Sequence, residues 1–165
     1  MKRGILFLAL LVVFSISGCN GPWPWMIWDI APFELYVYVE DGEGDDMLDP
    51  EHPDSLVYND ISIRFEGETY HMDEVAQTKA YMAMFYGVCL EEDSDGRHYL
   101  QIGEFNGDTE YDQAHIILDW GNGSENRLVF SHEFWWKKHE PHHRTYVGLD
   151  GSDLVEGNAV MVVMP

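Results

Sequence analysis

The stretch HEFWWKKHEPHHR (residues 132–144) holds four histidines, two glutamates, two tryptophans and two lysines within thirteen residues. Imidazoles and carboxylates are zinc ligands. A structural zinc site closes its ligand set, and a catalytic one keeps three ligands and an open position. His139 and His142 could converge with Glu140 on one ion, around Pro141. His142 and His143 are adjacent, so on an extended chain they point to opposite faces and cannot easily share it. No helix presents these residues as an H-E-x-x-H pair would require. The same alternation separates Trp135 from Trp136, so one is expected in the core and the other exposed. With Lys137, Lys138 and Tyr146 nearby, the exposed aromatics would suit a platform that stacks a sugar or a peptide. The more economical reading is edge-strand packing, with the two lysines guarding the edge against aggregation and the chain bending into a loop at Pro141.

A second cluster, EDGEGDDMLDPE (40–51), places Asp41, Glu43, Asp45, Asp46 and Asp49 in one loop. Calcium takes six to eight oxygens from flexible loops, but the spacing here lacks the EF-hand order of acids, central glycine and distal glutamate. A solvated hairpin loop is the simpler reading. Calcium at Asp41, Glu43 and Asp45, or zinc at His139 and His142, are the metals to test, and no other cofactor is expected. Catalysis has little support: G-x-S-x-G and the P-loop are absent, and nothing marks two carboxylates as facing across a cleft. The chain is expected not to be an enzyme.

The elements that would position these residues read as strands. FELYVYVE (33–40) alternates strictly, with Phe33, Leu35, Val37 and Val39 on one face. DISIRFE and EGETYHM form a hairpin turning at Gly67. KAYMAMFYGVCL (79–90) is apolar on both faces, as a central strand would be, and a short helix at 73–79 could precede it. RHYLQIGEF, DQAHIILDW, NRLVFSHEF, RTYVGLD and NAVMVVM supply five more strands. Turn residues separate the runs at intervals typical of an antiparallel sandwich: DSDG, FNGD, GNGS and LDGSD. The fold class is all-β, an antiparallel sandwich of about seven to nine strands over residues 33–165.

The N-terminus carries a different message. Lys2 and Arg3 precede the apolar run ILFLALLVVF, which is too short to span a bilayer comfortably and is followed by small residues. This is the order of an export signal, residues 1–18. ISGC (16–19) resembles the bacterial lipobox, which implies lipidation of Cys19, cleavage before it, and anchoring by several acyl chains. Residues 19–32, NGPWPWMIWDIAP after the cysteine, read as a proline-stiffened tether and lead-in, with Trp23, Trp25 and Trp28 suited to the membrane interface or the bottom of the domain. Asn20 replaces the Asp that would resemble inner-membrane retention, so an outer-membrane, periplasm-facing location is expected, with surface display as the alternative. With Cys19 lipidated, Cys89 has no disulfide partner, and its apolar setting predicts an inert thiol.

The chain has 9 basic and 30 acidic residues. Removing the signal leaves 7 basic residues and a formal charge near −23. That balance excludes nucleic acid as a partner and suits a domain held off a membrane.

At ILDWGNGSENRLVF (117–130) the sequence resembles the W/F-G-D-G-S hairpin of PKD-type immunoglobulin-like domains, with Asn122 in place of the usual Asp. That resemblance implies an immunoglobulin-like sandwich. The wider layout (lipobox, WDIAPFELYVYVED, DDMLDP, FEGETY, YGVCLEEDSDGRHYLQIGEFNG, DWGNGS) is similar to small lipoproteins of Gram-negative gut anaerobes without assigned activity. The resemblance implies a cell-envelope protein and carries over no catalytic residue. Four functions are weighed: a binding or adaptor lipoprotein for a glycan or envelope protein, a structural subunit of an envelope assembly, a divalent-metal protein and, last, an enzyme.

Overall fold

A computed structural model describes residues 30–72 and 87–164. Among the described residues ten strands form two sheets. β1 (Phe33–Glu40), β4 (Val88–Glu92), β5 (His98–Phe105) and β10 (Ala159–Val163) make a four-stranded sheet in the order β10-β1-β5-β4. β2 (Ser62–Phe65), β3 (Glu68–His71), β6 (Tyr111–Asp119), β7 (Glu125–Lys137), β8 (Glu140–Leu149) and β9 (Val155–Glu156) make a six-stranded sheet in the order β3-β2-β6-β7-β8-β9.

The alternation of β1 does what its period demands: Phe33, Leu35, Val37 and Val39 are buried and the residues between them half-buried. They share one core with Leu100, Ile102 and Val162 of the same sheet and Ile63, Phe65, Ile116, Leu118, Leu128, Phe130 and Val147 of the other. The chain is therefore an all-β protein with two mainly antiparallel sheets. One pairing departs from the expected antiparallel pattern: β1 and β10 run parallel, Tyr36 beside Ala159 through Glu40 beside Val163.

Of the run 79–90, expected to be a central strand, Val88–Leu90 lie in β4, which pairs β5 alone among the described strands. Residues 73–86, including the expected short helix, lie outside the described residues, as do the signal, Cys19 and the tether to residue 29. β9 has no counterpart in the sequence reading, because two residues carry no periodicity.

The β6–β7 turn explains its glycines. Gly121 and Gly123 have φ of +70° and +90°, a region that costs other residues free energy. A Cβ on Gly121 would lie 2.7 Å from the Asp60 amide nitrogen. Asn122 Oδ1 accepts from the Ser124 amide at 2.9 Å, and Asp119 Oδ1 from that of Gly121 at 2.9 Å. Trp120 is fully buried, its indole N–H donating to Asn126 Oδ1 at 2.7 Å.

Candidate functional site

The thirteen-residue stretch is the β7–β8 hairpin. Lys137 pairs with Glu140, so only Lys138 and His139 make the turn, with φ of 53° and 69°. Two positive φ values in a two-residue loop define a type I′ turn, whose twist matches that of the strands. The expected Pro-bent loop is thus corrected. Pro141 lies inside β8 opposite Trp136, on a stretch where β9 does not pair, and the missing N–H costs no ladder bond with it.

Pairing with β6 stops at Tyr111–His132, and β9 reaches only Tyr146 and Val147. Residues 133–137 and 140–144 therefore form a two-stranded ribbon. β7 is interior to its sheet up to His132 and becomes an open edge beyond it; Lys137 and Lys138 cap the ribbon tip, both exposed. Trp135 and Trp136 face opposite sides as expected. Neither is core, at 36% and 53% exposure, because no opposing sheet covers the ribbon among the described residues.

One face of the ribbon is a connected set. The His142 ring stacks on Trp135 at 5.8 Å between centroids and 14° between planes, and the Arg144 guanidinium lies 5.8 Å from the Trp135 ring centre. Arg144 donates to the Tyr146 hydroxyl oxygen at 3.1 Å and pairs with Glu156 at 3.3 Å. The Tyr146 bond, and then Glu156, raise the guanidinium pKa further. Beside this set runs a groove of about 850 Å³ whose walls include Glu110, Tyr111, Asp112, Glu133, Trp135 and Tyr146. Flat aromatics next to carboxylates suit a ligand with an apolar ring face and a hydroxylated rim.

The opposite face is built into the body. His132 is 1% exposed and its ring stacks on Phe33 at 3.9 Å and 3°. Its Nε2 bonds the Gly107 carbonyl at 3.1 Å and its Nδ1 the Thr145 hydroxyl at 2.8 Å. A carbonyl only accepts, so Nε2 carries the proton and the threonine hydroxyl donates to Nδ1. Burial depresses the His132 pKa, outweighing the Gly107 bond that raises it. An unfolded chain takes up this proton near pH 6.5, whereas the folded chain resists it. The associated stability is present above pH 6.5 and is lost as pH falls below it. Urea midpoints should fall from pH 7.5 to 5.5, and the fall should shrink in His132→Gln.

No protein-family model, curated protein or solved structure matches the chain. The site is therefore read from its own geometry.

The expected metal ligands are not brought together as foreseen. His139 sits in the turn and His142 against Trp135, and no third ligand joins them among the described residues. In the acidic loop Asp41, Asp45 and His52 place ligand atoms within 4.8 Å of one another, and Glu43 is not in that group. Asp41 Oδ1 instead accepts from the amides of Glu43 at 2.8 Å and Asp45 at 3.0 Å. These bonds, the Asp45 amide first, hold its carboxyl below the usual range. His52 Nδ1 accepts from the Asp54 amide at 3.2 Å, so its neutral ring is protonated at Nε2. A metal at either nitrogen would cost that bond or that proton. Millimolar Ca²⁺ or micromolar Zn²⁺ is expected to leave the melting temperature within a degree or so, which scanning calorimetry with and without EDTA checks. Cys89 is half-buried, its thiol 3.9 Å from the Glu91 carboxylate, a setting that does not favour a thiolate.

Sequence reasoning missed Arg144, Tyr111, Glu110 and Asp112. Arg144 could have been found: once the turn is centred on Lys138–His139, alternation puts His142, Arg144 and Tyr146 on the Trp135 face. The β6 residues join through sheet pairing between segments distant in sequence, which alternation within one segment does not reveal.

Proposed function

We propose that the chain is a lipid-anchored lipoprotein of the cell envelope, acylated on Cys19, that works by binding rather than catalysis. The observation that carries the binding part is the ribbon face, where Trp135, His142, Arg144 and Tyr146 line up beside a groove with carboxylates on its walls. The ligand class this supports best is a glycan, whose ring faces stack on Trp135 and Tyr146 while its hydroxyls bond Glu110, Asp112 or Glu133. The non-catalytic part draws support from His132, whose two ring nitrogens are both held in structural bonds. The outer membrane, facing the periplasm, is the proposed location, resting on the lipobox and on Asn20. An immunoglobulin-like topology belongs to the same proposal. Its support is the packed pair of sheets, the parallel pairing of first and last strands, and the WGNGS hairpin, although four and six strands exceed the usual division.

A glycan array probed with the wild-type chain and with Trp135→Ala tests the reading. Loss of a stacked aromatic at the centre of a site removes about 2 kcal/mol, roughly thirtyfold in affinity. Signals that persist in the variant would remove the ribbon face from the account.

One observation favours a second reading, a structural interaction subunit. β10 is an edge strand among the described residues, with Val163 62% and Met161 37% exposed. An apolar open edge can accept a strand from a partner. A pull-down recovering one stoichiometric envelope protein, lost on Met161→Lys, would favour it.

A further inference from the structure

The lead-in and the ribbon share one end of the molecule. Phe33 stacks on His132, and moving backward along the chain Ala31 and Ile30 line one open pocket with Phe134, Pro141, His142 and His143 of the ribbon. The described chain therefore begins, at Ile30, at the ribbon end of the body. Residues 19–29 are eleven residues that can span at most about 36–40 Å. The tip stands six residues beyond His132, roughly 20 Å at strand rise. A tether fixed at its far end leaves the tip free to reach the surface that holds it.

The tip is chemically unlike the body. Three of the seven basic residues remaining after the signal, Lys137, Lys138 and Arg144, lie in the ribbon, while the body carries most of 30 acids. At physiological ionic strength charges are screened beyond about 8 Å. A tip projecting farther than that presents its own charges, Lys137 and Lys138 against the single Glu140 opposite Lys137, to a surface rather than the charge of the body. Trp136, 53% exposed beside the lysines, is the side chain that settles at a headgroup boundary.

We infer that the β7–β8 tip, Trp136 with Lys137 and Lys138, docks on the anionic phospholipid surface beside the anchor. It thereby holds the acidic body outward and the Trp135 groove at a fixed height. This rests on the proposed lipidation of Cys19.

Hydrogen exchange on the full chain, purified from membranes and reconstituted in vesicles, tests it. On phosphatidylglycerol vesicles the peptide covering residues 134–141 exchanges at least about fivefold more slowly than on phosphatidylcholine vesicles, as expected where each lysine contributes around 1 kcal/mol at an anionic surface. The β6–β7 turn serves as the control and is unchanged. In Lys137→Gln/Lys138→Gln the protection is lost while the protein stays on the vesicles. Equal exchange on both lipids, or protection surviving the double substitution, overturns the docking. Intact mass separates the two ideas: an unmodified Cys19 refutes the anchor, whereas tip protection is read independently of it.

Discussion

Trp120→Ala is expected to lower the stability of the domain by about 3–5 kcal/mol, the range for deleting a fully buried large aromatic. Its indole is completely inaccessible and its N–H donates to Asn126 Oδ1 at 2.7 Å. Its amide also donates to the Ser124 carbonyl at 3.1 Å, closing the WGNGS turn beside Gly121, which touches the Asp60 backbone. The substitution leaves a cavity and an acceptor without its donor. A loss of that size is a large share of the 5–15 kcal/mol that holds an ordinary domain together. Urea unfolding followed by circular dichroism measures it. Trp120→Phe, which keeps most of the volume but not the N–H, should cost about 1–3 kcal/mol. Trp135→Ala, on the exposed ribbon, should lower the unfolding free energy by no more than about 0.5 kcal/mol. Two tryptophans with opposite consequences separate core from surface.

Gly107→Ala is expected to cost roughly 2–4 kcal/mol, because it forces backbone against backbone. A Cβ there would lie 2.1 Å from the Ala31 carbonyl oxygen, and Gly107 itself accepts the bond from buried His132. Relief requires moving either the lead-in or the β5–β6 turn, and each movement disturbs the Phe33–His132 stack at 3.9 Å. Thermal unfolding should show the loss, and limited proteolysis should show faster cleavage near residues 30–32. Gly123→Ala is the comparison: nothing lies within 4 Å of its Cβ, so only the φ of +90° opposes it, costing about 1 kcal/mol.

The fold was legible where a single strand carries its own period. FELYVYVE buries alternate residues over its whole length, and EG, DG and WGNGS stand at turns because glycine there takes positive φ. The β7–β8 turn was not legible, since Lys138 and His139 adopt φ values usually reserved for Gly and Asn, while Pro141 draws the eye to a bend that does not occur. That one displaced turn misassigned the tryptophans: a ribbon read as a sheet edge should bury one of Trp135 and Trp136, and both are exposed. The parallel β1–β10 pair was hidden because it joins the two ends of the domain. His132 was given no role of its own in the sequence reading, yet its even spacing with Leu128 and Phe130 along β7 already placed it on the core face.

The most direct test of the binding account is the Trp135 indole N–H resonance during titration with a glycan selected from the array, using the buried Trp120 indole as internal reference. The account predicts that the Trp135 signal shifts in a saturable way with the same dissociation constant as the array ligand, while Trp120 stays fixed and Trp135→Ala abolishes binding. Saturable binding that leaves Trp135 unmoved would contradict it.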